Sequence, residues 1–231
     1  MKLITIFFTL CLTLLAGDID PKPFKSIPML SKQHINIVKV YDHGLIYELT
    51  LEINTPRGSQ LSTAYVTKDK KVVILGEALN AKTGESIKRP LDMKTIRENA
   101  DIVYGTGKDE YIVFTDPECP YCVRFEEKWP SLAEKVTLLV YFMPLPNHHN
   151  ATKMSYHVMK QANQKAKVKA LLDMAEGDRS FERLTMTQKI SELFSQKLKD
   201  NQTLATQFGV RGTPSVFDTK GKPVNWPNLG K

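Results

Sequence analysis

The chain has 231 residues, 42% of them hydrophobic and 25% charged, an ordinary globular composition with room for one or two domains around a real core. No low-complexity tract or convincing internal repeat interrupts it. The formal net charge is +7, but the lysines are scattered. No arginine-rich stripe interleaved with aromatics marks a nucleic-acid surface, so no nucleic-acid partner is expected.

Lys2 opens a short apolar run from Leu3 to Ala16, followed by Gly17-Asp18. The run falls short of the roughly 20 residues that span a membrane comfortably. It reads as a secretory signal peptide over residues 1–17, cut near Ala16 or Gly17, with an uncleaved anchor as the rival reading. The bulky Leu10 before Cys11 argues against lipidation there. Cleavage would remove Cys11 and leave two cysteines, Cys119 and Cys122. An exported chain with only those thiols has no disulfide framework, and the pair is available for chemistry.

Residues 43–54 alternate with strand periodicity: Leu45, Tyr47, Leu49, Leu51 and Ile53 share one face, with a slip at Ile46. Ala64-Tyr65-Val66-Thr67 and Val72-Val73-Ile74-Leu75 flank a polar Lys68–Lys71 and predict a hairpin. Gly76 to Arg89 is polar and turn-rich. Residues 18–88 therefore predict a small β-rich unit, of a kind that often finishes its edges against a second copy.

Residues 89–107 predict a linker helix over Met93–Ala100, with Asp92 as N-cap and Tyr104-Gly105-Thr106-Gly107 as its close. From 108 to 231 strands and helices alternate. Tyr111–Phe114 is a buried-looking strand, Asp116-Pro117-Glu118 a turn, and Thr137–Met143 a second strand. Residues 151–207 are helical in pattern. Gly209 to Pro214 breaks them, and Ser215-Val216-Phe217 starts a last strand. The expected class is α/β for this domain and α+β for the chain.

Between the first strand and a helix stands Cys119-Pro120-Tyr121-Cys122. Pro120 falls in the first turn, where its missing N–H costs nothing. Cys122, Phe125, Trp129 and Leu132 repeat at helical spacing, so that helix has a buried face. Cys119 is then expected at the helix N-terminus, the more exposed of the pair, with Cys122 one turn inward. Unpaired first-turn N–H groups and the helix dipole favour a thiolate at Cys119. Such a thiolate attacks a disulfide, and Cys122 or a substrate thiol resolves the mixed disulfide.

Other readings of the pair are weaker. Haem attachment requires His at position 123, which is Val. Structural zinc requires two further ligands; His148 and His149 are the candidates, but adjacent histidines rarely reach one metal, and they read better as surface-loop residues, with a place lining the active site as the lesser alternative. An inert disulfide across four residues would restrain almost no chain entropy. No metal and no cofactor is expected.

Gly212-Thr213-Pro214, just before the last strand, looks like the cis-proline loop of thioredoxin folds; its bland alternative is an ordinary trans turn. There the Thr213 backbone would lie beside Cys119 and bind an extended substrate like an added strand.

With Phe114-Thr115-Asp116-Pro117-Glu118-Cys119-Pro120-Tyr121-Cys122 and Gly209-Val210-Arg211-Gly212-Thr213-Pro214, the chain resembles the DsbC/DsbG family of periplasmic thiol–disulfide interchange proteins. The pattern from Tyr65-Val66 to Gly76 is similar to that family's cystatin-like dimerisation domain. The resemblance implies a homodimer with thioredoxin-fold catalytic domains, each carrying a helical insertion. It implies Cys119 as nucleophile, with Thr213, Pro214 and Tyr121 touching substrate. It also implies misfolded or disulfide-containing exported proteins as substrates and a membrane electron-transfer protein as redox partner. Thr213 before the proline resembles the isomerase branch, and Pro-Tyr between the cysteines the DsbG branch.

Three departures stand out. The catalytic domain has no second cysteine pair. Thioredoxins carry a buried acid six residues before the first cysteine, where this chain has Val113, so proton transfer must use another group or water. The chain also stops 17 residues after Pro214, where the family adds a further helix. A disulfide isomerase or reductase is the leading expectation. A dimeric dithiol oxidase and a periplasmic chaperone are the alternatives.

Overall fold

The structure, a computed structural model, describes residues 18–56 and 58–230. The signal peptide expected over 1–17, and Cys11 with it, lies outside the described residues. The chain folds as two compact units that divide after Arg89.

The first unit is an antiparallel meander of β1 (Asp18–Ile19), β2 (Ile35–Asp42), β3 (Ile46–Thr55), β4 (Gly58–Thr67) and β5 (Val73–Leu75), paired in that order. The expected hairpin is β4–β5, with Tyr65 opposite Ile74. Alternation sends Leu49 and Leu51 of β3 to one face. There they pack with Phe24, Ile27, Leu30, Val40 and Val66. Leu45 departs from the strand reading. It is 85% exposed, because Gly44, at φ +85°, turns the chain between β2 and β3 just before it.

The opposite face of β3 is polar, yet Glu48 and Thr50 are buried. The segment after β5 covers it. Arg89 pairs with Glu48 at 2.8 Å and donates to Thr50 Oγ1 at 2.8 Å. His43 Nε2 lies 2.8 Å from the other Glu48 oxygen, and Tyr65 donates to the Ile87 carbonyl at 3.1 Å. A buried carboxylate is tolerated because it is paired on both oxygens.

The second unit starts with α1 (Met93–Glu98), whose first-turn N–H groups are accepted by the Asp92 side chain. Next come β6 (Ile102–Tyr104), β7 (Asp109–Thr115), α2 (Pro120–Glu126), α3 (Trp129–Leu132) and β8 (Val136–Phe142). Then follow α4 (Ala151–Met159), α5 (Gln164–Ala175), α6 (Gln188–Phe208), β9 (Ser215–Asp218) and β10 (Pro223–Val224). The sheet runs β10-β9-β7-β8-β6. β7 and β8 are parallel, and the other pairs are antiparallel.

Every residue of β8 is buried, as a central strand covered on both faces requires. On one face Val113, Val140 and Phe142 meet Phe125, Trp129, Val158 and Leu171 of α2 to α5. On the other, Ile112, Phe114, Leu139 and Tyr141 meet Ile96 of α1 and Ala205 and Phe208 of α6. The segment expected as a linker thus places Ile96 and Ile102 in the two cores of this unit, and Ile102–Tyr104 is an edge strand that the turn reading of that stretch overlooked. Gly107 lets the chain re-enter the sheet: a Cβ there would stand 2.1 Å from the Lys135–Val136 backbone. The last described element is a 3₁₀ turn, Trp226–Asn228, whose indole lies 5.3 Å from the Phe125 ring.

Candidate active site

β7 ends at Thr115, and the turn Asp116-Pro117-Glu118 delivers the chain to α2 with Cys119 as its N-cap and Pro120 in the first turn. From the far side of the sequence, the Gly209–Pro214 loop brings the Thr213 carbonyl to 3.5 Å from Cys119 Sγ, whose thiol donates to it. The Thr213–Pro214 bond is cis. Cys119, Cys122, Thr213 and Pro214 therefore meet at one place. Tyr121 stands there 62% exposed, with the Arg124 guanidinium 5.6 Å from its ring.

Cys119 is less open than the sequence suggests. It is only 4% exposed, because the Thr213 loop lies against its sulfur. Cys122 is fully buried; both cysteines are free thiols. Burial pushes the Cys122 thiol up, opposed by the nearby Thr115 and Thr213 hydroxyls and by the Asp116 N–H, which donates to its sulfur at 3.4 Å. The Thr213 hydroxyl is buried and has no hydrogen-bond partner among the described residues.

Two acids frame the pair. Asp116 is fully buried and accepts from the Glu118 N–H at 2.8 Å and the Leu145 N–H at 2.7 Å, while His148 Nδ1 sits 2.8 Å from it. His149 is exposed, as a surface-loop residue should be, whereas His148 turns inward onto Asp116. Glu118 in turn accepts from the N–H groups of Asn150 and Ala151 at 2.7 and 2.9 Å, fastening the start of α4 to the cysteine turn. Among the described residues no group of three or more His, Cys, Asp or Glu is arranged to hold a metal.

Glu126 is the residue that sequence reasoning missed. Val113, at the position searched for a buried acid, is fully buried and apolar. The acid stands on the helix instead, one turn beyond Cys122. Glu126 is fully buried, Oε1 accepts from Thr115 Oγ1 at 2.8 Å, and Oε2 has no partner among the described residues. Burial, with the nearby Asp116 charge adding to it, raises its carboxyl to about 8, against the opposing Thr115 hydrogen bond. The i, i+4 spacing from Cys122 on the buried helix face was the available signal.

A reactive dithiol at a helix start, facing the loop of a cis proline on a mixed sheet, defines a thiol–disulfide oxidoreductase of thioredoxin fold. The chain belongs to the thioredoxin-like domain family, whose model matches residues 96–227. Among solved structures it is similar to a disulfide interchange protein from Neisseria gonorrhoeae, at 25% identity and TM-score 0.43, over 55% of this chain and 85% of that one. Helicobacter pylori DsbG matches at 12% identity and TM-score 0.41, over 83% of this chain and 98% of that one. A compact conformation of Proteus mirabilis ScsC matches at 17% identity and TM-score 0.46, over 62% and 78%. No curated protein matches. No helix among the described residues is long and apolar enough to cross a membrane.

Proposed function

We propose that this protein exchanges disulfides in exported proteins as an isomerase or reductase, with Cys119 attacking and Cys122 resolving. The observation that carries the reading is the Thr213 carbonyl at 3.5 Å from Cys119 Sγ, on the loop of the cis proline. A substrate strand that hydrogen-bonds the backbone of that loop brings its disulfide to the sulfur at the N-cap. The Cys119 thiolate displaces one substrate sulfur as a thiolate and forms a mixed disulfide. Either that thiolate returns to a different substrate sulfur, which is isomerisation, or Cys122 closes the Cys119–Cys122 bond and the substrate leaves reduced. Pro214 and the exposed Tyr121 border the same approach.

Isomerase work requires Cys119 to be kept reduced, and a membrane electron-transfer protein in the periplasm is the partner that the DsbC/DsbG resemblance implies. A second copy is the partner for the first unit. Its edge strand β5 leaves Leu75 63% exposed, beside Val72 and Leu79 at 51% and 54%, and an apolar strand edge favours pairing. The test is reactivation of a scrambled, wrongly disulfide-bonded protein in glutathione buffer, with Cys119→Ser as control. Reactivation lost in the control supports the isomerase. Rapid oxidation of a reduced protein without reactivation selects the dimeric oxidase. Suppressed aggregation that survives loss of both cysteines selects the chaperone.

A further inference from the structure

We propose that Arg124 and Arg211 make this site select acidic segments, so that its substrates are proteins whose reacting cysteine is flanked by aspartate or glutamate. The inference rests on the exchange reading above and names the substrate class it serves. The Thr213 carbonyl lies against the Cys119 sulfur, so a substrate strand has to enter between that loop and the exposed Tyr121. Arg211 stands two residues before Thr213 on the loop, at most roughly 7 Å of chain away. On the helix side, the Arg124 guanidinium is 5.6 Å from the Tyr121 ring. Each side of the approach therefore carries one guanidinium.

The charge left open to a substrate here is positive. Asp116 is fully buried, and its oxygens are taken by the Glu118 and Leu145 N–H groups and by His148. Glu118 accepts from the Asn150 N–H, the Asn150 side-chain amide and the Ala151 N–H. Glu126 is fully buried beneath the helix. Both arginines, by contrast, are exposed, and neither guanidinium has a hydrogen bond or a carboxylate partner among the described residues. The exposed Glu127 lies further along α2 from Cys119 and is followed at once by Lys128, so the two offset one another.

A guanidinium stays charged at every pH where thiols exchange, and its planar fork fits a carboxylate on two N–H groups at once. Exposed pairs of this kind hold a complex weakly. They act mainly on the rate of encounter, and salt screens them. A lysine-flanked cysteine meets two unpaired cations and is repelled, which widens the discrimination. The exchange step itself is the same for every substrate. The Cys119 thiolate bonds to one substrate sulfur, the substrate S–S bond breaks, and its electron pair leaves on the other sulfur.

The test uses blocked pentapeptides whose central cysteine is flanked by aspartates, glutamines or lysines and is joined by a disulfide to 2-thiopyridine. Attack by Cys119 on the peptide sulfur releases uncharged, coloured thiopyridone, and Cys119→Ser supplies the blank. Each rate is divided by that of the same peptide with 2-mercaptoethanol, which removes the peptide's own reactivity. At low salt the aspartate peptide should then react about fivefold or more faster than the lysine peptide, and the ratio should fall toward one at about 0.5 M salt. Arg124→Gln and Arg211→Gln should each lower the ratio, and the double variant should bring it close to one. Lysine at both positions should keep it, as should Lys189→Gln, a change on the exposed start of α6. Lost packing alone would slow all three peptides alike and leave the ratio unmoved. A parent ratio below about twofold, or a parent-like ratio in the double glutamine variant, would overturn the proposal while the glutamine peptide still reports exchange. No release above the blank from any peptide would overturn the exchange reading, and the selectivity with it.

Discussion

Replacing Glu126 by Gln should change how stability depends on pH, by an amount that the burial of this one acid sets. An unfolded glutamate ionises near 4.5, whereas the folded carboxyl stays neutral to about 8. A group whose folded value is raised contributes stability that is fully present below the unfolded value and lost as pH rises through the folded one. Between those limits the unfolded chain gives up a proton that the folded chain keeps, at about 1.4 kcal/mol per pH unit. Over that interval the effect is about 5 kcal/mol for the parent. A glutamine in place of Glu126 has nearly the same shape, can accept from Thr115, and cannot ionise.

The assay is urea unfolding followed by tryptophan fluorescence at pH 4 to 9, with a phosphine reductant holding both cysteines as thiols. Both tryptophans, Trp129 and Trp226, lie in the second unit, so the signal reports that unit alone. Other titrating groups are common to the two proteins and cancel in their difference. The stability of the parent should fall relative to Glu126→Gln by several kcal/mol between pH 4.5 and 8. Curves that stay parallel within about 1 kcal/mol would refute the raised carboxyl and the burial argument behind it.

Asp116→Ala leaves two N–H groups and an imidazole without their acceptor, and should cost about 3 kcal/mol or more in the same urea assay. Glu118→Ala removes the carboxylate that caps α4. It should cost about 1 kcal/mol, seen as faster amide exchange confined to the first turns of that helix. In the first unit, Arg89→Met strands the buried Glu48 carboxylate on one side, for a loss of about 3–5 kcal/mol. Amide exchange of β3 should rise accordingly, and adding Glu48→Gln should recover much of the loss. For the dimer, light scattering should show the parent at twice the monomer mass and Leu75→Asp shifted toward the monomer.

The local patterns were legible in the sequence because each is written in a single stretch of chain. Strand alternation marked Leu49 and Leu51, and the apolar run from Thr137 marked β8. Asp92 announced α1. Helical spacing from Cys122 to Phe125 gave α2 its buried face, and with it the inward place of Cys122; Trp129, read as part of the same helix, opens the separate α3. Where neighbouring signals competed, the pattern misled. Leu45 matches the apolar phase of β3 but sits on the turn that Gly44 makes. Ile102–Tyr104 is too short to stand out before two glycines, and becomes a strand only because β8 offers it an edge. The polar face of β3 is buried only because Arg89, 39 residues after Thr50, folds back over it.

The site divides the same way. The sequence alone determined which two sulfurs share a helix start and which proline follows a threonine before a strand. Tertiary structure decided that Thr213, 94 residues from Cys119, lends it a carbonyl. It decided too that His148 closes on Asp116, and that an acid on α2 meets a hydroxyl at the end of β7. Such contacts depend on how strands and helices assemble, and no period of 2 or 3.6 residues records them. The exposure of Cys119 and the protonation of Glu126 follow from what assembly buries against each side chain, so only the folded chain could decide them.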